Sequence, residues 1–522
     1  MLALLVWLWV HADYGITWDE TVQSKYGEAL RIFFSGGLSF DEFNHYPDLP
    51  ENIYFYGPTL DLGCAAIAHA FGTDIYSVRH GVLGLMWVAM FYPVCALGRR
   101  VAGRPGAWFA GCALLGMPSL FGQAFNNPKD LPLAFAAIWL VYASVAVAGA
   151  RRLNWVHALK LGAAVGGVLL MRPGAWFLCV LLGLVPLAAV RRGHKLTGRW
   201  EPGKIFKPLP ILLAAVALGW VLMVLPWPNA WHSPLGHPIK SAGLAMHFQE
   251  VYPVLLHGHL YPSNRLPWDY LASYLALTLP VPLVVLAVYG HLVFLRRFFR
   301  SIPAAMAVLG TTFLLWFPLA TFIVLRPNIY DGMRHFLFML PAVAVLAGAA
   351  AGSLIQHLRG TARTMAMPVA TVLLLSSVPA MVQLHPYENV YYNFVAGPKA
   401  TLHERYETDY WISSYREAAG WINGVQARSD RPLCVAVAAN HFSANAFTHF
   451  LDPRVKAFDF VLDDFSTNQM PAVIDYYVAT VRYNQWKNFA SAPVAHRVER
   501  DGILLSIIRE NPKSKETKTG AP

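Results

Sequence analysis

The chain has 522 residues, of which 56% are hydrophobic and only 14% charged, with a formal net charge of +11 and a mean hydropathy of +0.40. A soluble chain carries about 25% charged residues, so the composition excludes an ordinary soluble domain and reads as a polytopic α-helical membrane protein. In such a protein the placement of positive charge matters more than its sum, and no nucleic-acid partner is implied by it.

Met1–Val10 is an apolar run half the length of a span, since a crossing helix needs about 20 residues. It lacks the basic flank and small-residue cleavage site of a signal peptide. A true start upstream, tilt or a capping neighbour would each account for its length. The loop 11–76 comes next, with amphipathic stretches at Thr21–Phe34 and Leu60–Phe71. These are expected to lie along the membrane interface, or else to be buried between spans. Spanning runs are then predicted at 77–97, 104–121, 131–149, 155–171, 173–190, 208–227, 270–295, 302–325, 335–357 and 365–384, about eleven helices with the N-terminal stub. The break at Arg172–Pro173–Gly174 marks either a tight hairpin or a kink. After the transmembrane domain 1–384, strands are expected at 432–439, 473–480 and 502–510 and a helix at 415–425, forming a small exterior α/β domain over 385–510. Residues 511–522 read as a solvated, disordered tail.

Basic loops alternate strictly with acidic or neutral ones. One set carries Arg99, Arg100 and Arg104, then Arg151 and Arg152, then Arg191 and Arg192, then Arg296, Arg297 and Arg300, then Arg359 and Arg363. The positive-inside rule puts that set and the N-terminus in the cytoplasm, and the loops 11–76, 122–130, 228–269 and 326–334 and the C-terminal domain outside. The expected location is the inner (plasma) membrane.

Most polar residues outside the basic loops fall at the exterior ends, where ionisable groups beside a membrane are functional candidates. Asp13, Asp19 and Glu20 come after the first apolar run in HADYGITWDE. A carboxylate can act as general base toward a hydroxyl, hold a divalent metal or orient a substrate, while TWDE also reads as a helix cap. Tyr56 lies in YFYGPTLDL, an interfacial aromatic belt and turn or part of a site. FNNPKDLPLA places Asn127, Lys129 and Asp130 at the mouth of a helix, where Asp130 also suits the helix dipole. Arg172 at membrane depth needs an anionic partner: a protein carboxylate, a lipid phosphate or a substrate phosphate. LRPNIYDGMRHFLFMLPA brings Arg326, Arg334 and His335 to the exterior edge, as a phosphate site or as a structural pair such as Asp331 with Arg334. His257 and His259 form a weak metal-binding pattern. There is no Gly-rich phosphate loop, HExxH or paired CxxC, and the five cysteines (Cys64, Cys95, Cys112, Cys179, Cys434) read as small hydrophobes, most of them in apolar runs.

The order of these segments — DE, YFYGP, NPKD, LPWDYL, then RH opening a helix — resembles bacterial relatives of the dolichyl-phosphate-mannose–protein mannosyltransferases, the family 39 membrane glycosyltransferases. Pro386–Ile422 resembles their join to the exterior domain. Where those relatives often carry His-Pro-Pro, this chain has Gly57-Pro58-Thr59. The resemblance implies a membrane-embedded C-type glycosyltransferase fold and a mannosyltransferase-like, inverting transfer of a sugar from a polyprenyl-phosphate donor to an acceptor hydroxyl on protein, lipid or glycan. It implies Asp19 as base with Glu20 in support, and Asp130 as the acidic residue of the second exterior motif. Asp13, which lies outside the matched pair, is with Asp130, Tyr56 and Asn127 a candidate for substrate binding. Arg334, His335, Arg326, Arg172 and Lys129 are the candidates for the donor phosphate. No cofactor is required, though a carboxylate-bound divalent cation is compatible with this set. A lipid-linked-sugar flippase, or a transferase using a lipid-linked oligosaccharide, are the rival readings.

Overall fold

The computed structural model describes residues 1–199, 201–246, 250–438, 441–460 and 470–512. Ala439, the end of one expected strand, and the tail from residue 513 lie outside the described residues. Eight helices among the described residues are long and apolar enough to cross a membrane: Ile75–Leu115, Asp130–Ala148, Pro173–Thr197, Pro202–Val224, Val281–Phe298, Ile302–Leu325, Arg334–His357 and Gly360–Leu384. The first of these is two helices. Forty-one residues would extend roughly 60 Å, twice the ~30 Å hydrocarbon core. The helix breaks at Ala102 and at Gly103, whose φ of 64° suits a residue without Cβ. Gly98 then packs directly against the Gly106 carbonyl, so the chain folds back as a hairpin. Trp155–Met171 is a shorter apolar helix, and Leu2–Val10 leans on the Ile75–Leu115 helix through a bond from Trp7 Nε1 to Gly81 O. Together these account for the eleven expected runs.

One boundary differs from expectation, and another that the sequence left open is decided. The run 270–295 is interrupted: Tyr270–Leu277 ends before Pro280, and the chain restarts as Val281–Phe298. Pro280 and Pro282 lack the amide hydrogens a continuous helix would need there. The break at Arg172 is a hairpin. Arg172 is extended (φ −151°), and beyond it a 3₁₀ turn Pro173–Gly183 leads into Leu184–Thr197. Arg192 near the end of that segment reaches back to the carbonyls of Ala148 and Ala150, just before the Trp155–Met171 helix begins.

The basic loops are knitted together at one end of the bundle. Arg191 donates to Phe298 O (2.8 Å), Arg297 donates to Gln356 Oε1 (3.0 Å), and Gln356 donates to Ala102 O. The loops grouped by charge in the sequence are thus neighbours in space.

Trp18–Phe34 and Thr59–Phe71 form the two amphipathic helices of the first long loop. The first is buried on most sides through its first three turns. Gly27 rests on the Asp61 carbonyl of the second helix, so this helix is part of the packed body. A hairpin of β1 (Pro253–Leu256) and β2 (His259–Pro262) precedes Tyr270. The C-terminal sheet contains β3 (Cys434–Ala438), β4 (Lys456–Phe460), β5 (Tyr476–Thr480), β6 (Val494–Arg500) and β7 (Ile503–Glu510), in the spatial order β4-β3-β5-β7-β6. β3 is parallel to β4 and β5, whereas β7 is antiparallel to β5 and β6. Tyr415–Gln426 packs on this sheet. β4 and β6, absent from the sequence reading, are the edges. Edge strands carry charge and lack a continuous apolar run, as in KAFDF and VAHRVER.

Candidate active site

Three local devices aim the charged side chains at one place. Thr17 and Glu20 form a capping box: Thr17 Oγ1 accepts from Glu20 N, and Glu20 Oε2 accepts from Thr17 N at 2.9 Å. This starts the helix at Trp18 and fixes Asp19 in its first turn, a favourable place for a carboxylate. Asn127 does the same for the second motif, its Oδ1 accepting from the amides of Lys129 (3.2 Å) and Asp130 (2.9 Å). The left-handed turn at Asp331–Gly332 redirects the chain just before Arg334.

The side chains meet in a chain of alternating charge. Lys129 Nζ lies 3.2 Å from Asp19 Oδ1, and Arg334 Nη1 lies 3.3 Å from Asp19 Oδ2. Arg334 Nη2 is 3.3 Å from Asp331 Oδ2, and Asp331 Oδ1 is 2.8 Å from Arg482 Nη2. Beside them Arg172 Nη1 holds Asp130 Oδ1 at 2.8 Å. Aromatic rings wall the cations. Lys129 stands 4.7 Å over the Tyr56 ring, Arg334 faces Trp411 (4.6 Å) and Tyr330 (4.8 Å), and Arg482 covers Trp18 (4.2 Å). Such faces stabilise desolvated cations. Arg334 Nε and His335 Nδ1 are buried and have no hydrogen-bond partner among the described residues.

The electrostatics are set by this packing. Burial by itself would raise the Asp19 carboxyl, but Lys129 and Arg334 offset it and hold the group below the usual carboxylate range. Burial depresses the Lys129 ammonium, and Asp19 more than restores it, leaving it raised. At Asp331 burial prevails over Arg482 and Arg334, and the carboxyl is raised. Each carboxylate of the cluster faces an ammonium or guanidinium, and no three His, Cys, Asp or Glu side chains among the described residues are grouped to hold a metal ion.

A narrow cleft lined by Gln23, Tyr56, Gly57, Lys129 and Arg172 adjoins the cluster, with about 10 Å³ of room, enough for about one water. Gly57 is needed there, because a Cβ would stand 2.2 Å from the Leu170 carbonyl. A roomier groove of about 480 Å³ lies along another side of the Trp18–Phe34 helix, near Ser24, Lys25, Glu28 and His69. Its charges are engaged by Asp48 and Arg31.

Of the residues singled out in the sequence, Asp19, Lys129, Asp130, Arg172 and Arg334 converge, with Tyr56 and His335 beside them. Asn127 is fully buried and spends its amide on Gln123, Asp130 and the helix start, so it positions its neighbours. Glu20 is likewise fully buried, between the capping box and His80 Nε2 at 3.1 Å. It supports the loop and does not reach the cleft lining. Asp13 belongs elsewhere: it pairs with His385, which also binds Glu388 and ties the first loop to the C-terminal segment. Arg326 is exposed at the end of Ile302–Leu325 and pairs with no carboxylate among the described residues. His257 bonds to the Tyr406 hydroxyl. The sequence reading missed Arg482, Trp18 and Trp411. Arg482 comes from the loop after β5, about 150 residues from its carboxylate partner, and no local pattern marks it.

No known family model and no curated protein matches the chain. Solved structures do. ArnT from Cupriavidus metallidurans in the apo state superposes with a TM-score of 0.53 at 14% identity, covering 97% of this chain and 96% of that one. The same protein bound to undecaprenyl phosphate gives 0.53 at 15% identity, over 98% and 97%. Archaeal oligosaccharyltransferase AglB from Archaeoglobus fulgidus, in complex with an inhibitory peptide and a dolichol-phosphate, gives 0.49 at 13% identity, over 93% and 69%. The near end-to-end superposition on ArnT, with the apolar helices and the small C-terminal sheet, establishes that this chain has the GT-C fold of membrane-embedded glycosyltransferases.

Proposed function

We propose that the protein transfers a sugar, with inversion, from a polyprenyl-phosphate donor to an acceptor hydroxyl at the non-cytoplasmic face of the membrane. The observation that carries this reading is the Asp19 carboxylate gripped by Lys129 and Arg334, with Arg334 Nε and His335 Nδ1 buried beside it and unpartnered. The buried Arg334 Nε–H in particular calls for an anion. The fold shared with a protein solved with undecaprenyl phosphate supports a polyprenyl phosphate as that anion. The basic loops gathered at the opposite end of the bundle support the orientation.

In the transfer, the acceptor oxygen attacks the anomeric carbon from the face opposite the phosphate, and the carbon–oxygen bond to the phosphate breaks. The acceptor proton passes to Asp19 as the new bond forms. The leaving phosphate gains charge, which Arg334, Lys129 and Arg172 meet where it develops. With both its oxygens paired to cations, Asp19 is a poor base. A phosphate that draws Lys129 and Arg334 toward itself releases the carboxylate for proton abstraction, so donor binding precedes base activation. Entry of the sugar requires the narrow cleft at Tyr56 and Arg172 to open. The mannosyl, family 39 form of this reading rests on the order of the sequence motifs.

The test is the purified protein in proteoliposomes with radiolabelled polyprenyl-phosphate sugar and a membrane extract as acceptor source. Acceptor-dependent release of polyprenyl phosphate with label in a new product is expected. Movement of the labelled lipid across the bilayer without transfer would replace this reading with a flippase.

A further inference from the structure

Arg482 reaches the cluster from the C-terminal domain. It lies just beyond β5, donates Nη1 to Tyr410 O (3.0 Å) and pairs through Nη2 with Asp331, and its guanidinium covers the Trp18 ring. Its side chain is 5% exposed and every one of these contacts faces protein. Asp331 stands between Arg482 and Arg334, and Arg334 stands between Asp331 and Asp19.

Lys129, Arg172, Arg334 and Arg482 are the cations of this assembly, and Asp19, Asp130 and Asp331 are its carboxylates. Four against three leaves one positive charge in excess among these ion-paired side chains. Without Arg482 the excess disappears, and Asp331 draws wholly on Arg334. Arg334, which already pairs with both Asp19 and Asp331, would then alone balance Asp331 and be held more tightly against an incoming anion. Glu407 and Asp409 also lie within electrostatic reach of Arg482; burial raises them to about 7 and about 6, and they accept from Leu255 N and from Ser413 N and Ser414 rather than pairing with a cation of the assembly.

We infer that Arg482 is a positioning residue for the donor phosphate: by pairing with Asp331 from behind, it frees Arg334 and leaves the ion-paired cluster with one cation in excess. The C-terminal domain thus completes the phosphate site as well as covering it. This role rests on the proposed reading of the cluster as a phosphate site.

The experiment measures undecaprenyl phosphate affinity in nanodiscs for wild type, Arg482→Met, Asp331→Asn and the double variant, with melting temperature as the folding control. Loss of one unit charge acting across Asp331 at an effective dielectric near 20 is expected to weaken binding by about 10- to 50-fold in Arg482→Met. In turnover with the sugar-loaded donor the loss falls on KM, with kcat changed less. The double variant restores the excess charge and strands no buried ion, so it recovers near wild-type affinity. Asp331→Asn alone binds more tightly than wild type. Wild-type affinity in Arg482→Met overturns the inference. So does a double variant as weak as Arg482→Met, which would mark a merely structural role. If Arg482→Met does not fold, the double variant decides: a 10-fold loss refutes. Absence of binding by the wild type itself removes the phosphate-site reading and this inference with it.

Discussion

Replacing Asp19 by Asn separates catalysis from binding and from stability in one experiment. The amide cannot accept the acceptor proton, and a general base contributes about 10²- to 10⁴-fold. A kcat at least about 100-fold lower is expected, roughly 3 kcal/mol of lost transition-state stabilisation. Binding should move the other way. Lys129 and Arg334 lose the anion that competes for them, so polyprenyl phosphate binds as tightly as in wild type or up to about 10-fold more tightly. The cost to stability is modest. Breaking a buried ion pair costs about 3–5 kcal/mol when a charge is left alone. Here Arg334 retains Asp331, and Lys129, with a side chain 21% exposed, retains access to water, so about 1–2 kcal/mol is expected. Turnover of radiolabelled donor in proteoliposomes, phosphate binding in nanodiscs and thermal melting read the three quantities. Transfer at the wild-type rate would refute Asp19 as base. Loss of phosphate binding alongside activity would show that Asp19 holds the site together and does not compete for its cations.

Three further outcomes are tied to particular contacts. Arg79→Met strands Asp61, whose side chain is 3% exposed and 2.7 Å from the guanidinium; a loss of about 3–5 kcal/mol is expected in chemical denaturation, with Arg79→Met/Asp61→Asn recovering much of it. Glu407, about 7 in the fold against an ordinary 4.5, binds more protons folded than unfolded between those values. Stability therefore falls as pH rises from about 4.5 to about 7, by about 3 kcal/mol, and Glu407→Gln should flatten that slope in melts across pH 4–8 while keeping the acceptor for Leu255 N. Gly57→Ala drives a methyl into the Leu170 carbonyl; a destabilisation of about 1–3 kcal/mol and reduced turnover are expected, and unchanged values would show that the Arg172 hairpin yields freely.

The legibility of the site in the sequence differs residue by residue. Asp19, Lys129 and Asp130 stand out because charge beside apolar runs is costly; Lys129 pairs with Asp19, and Asp130 takes Arg172 beside them. Arg172 at membrane depth needs a carboxylate or phosphate, and its protein partner is Asp130. Glu20, Asn127 and Asp13 look alike in sequence to the residues that converge. Capping hydrogen bonds divert the first two, and His385 takes the third. Arg326 and Arg334 lie eight residues apart in one basic motif, yet the left-handed turn at Asp331–Gly332 lies between them, and only Arg334 is carried inward.

By itself the sequence determined the features that the cost of moving groups out of water imposes locally along the chain: the number and place of the apolar helices, the gathering of basic loops at one end, and a short roster of charged candidates at the other. These depend on local composition, because each span and each loop meets its solvent independently. The tertiary structure alone decided which charges share a site. It brought Arg482 to Asp331 across about 150 residues and divided Arg334 between two carboxylates. Ion pairing in a low-dielectric interior depends on distances of a few ångströms between segments remote in sequence, and no local pattern encodes those distances.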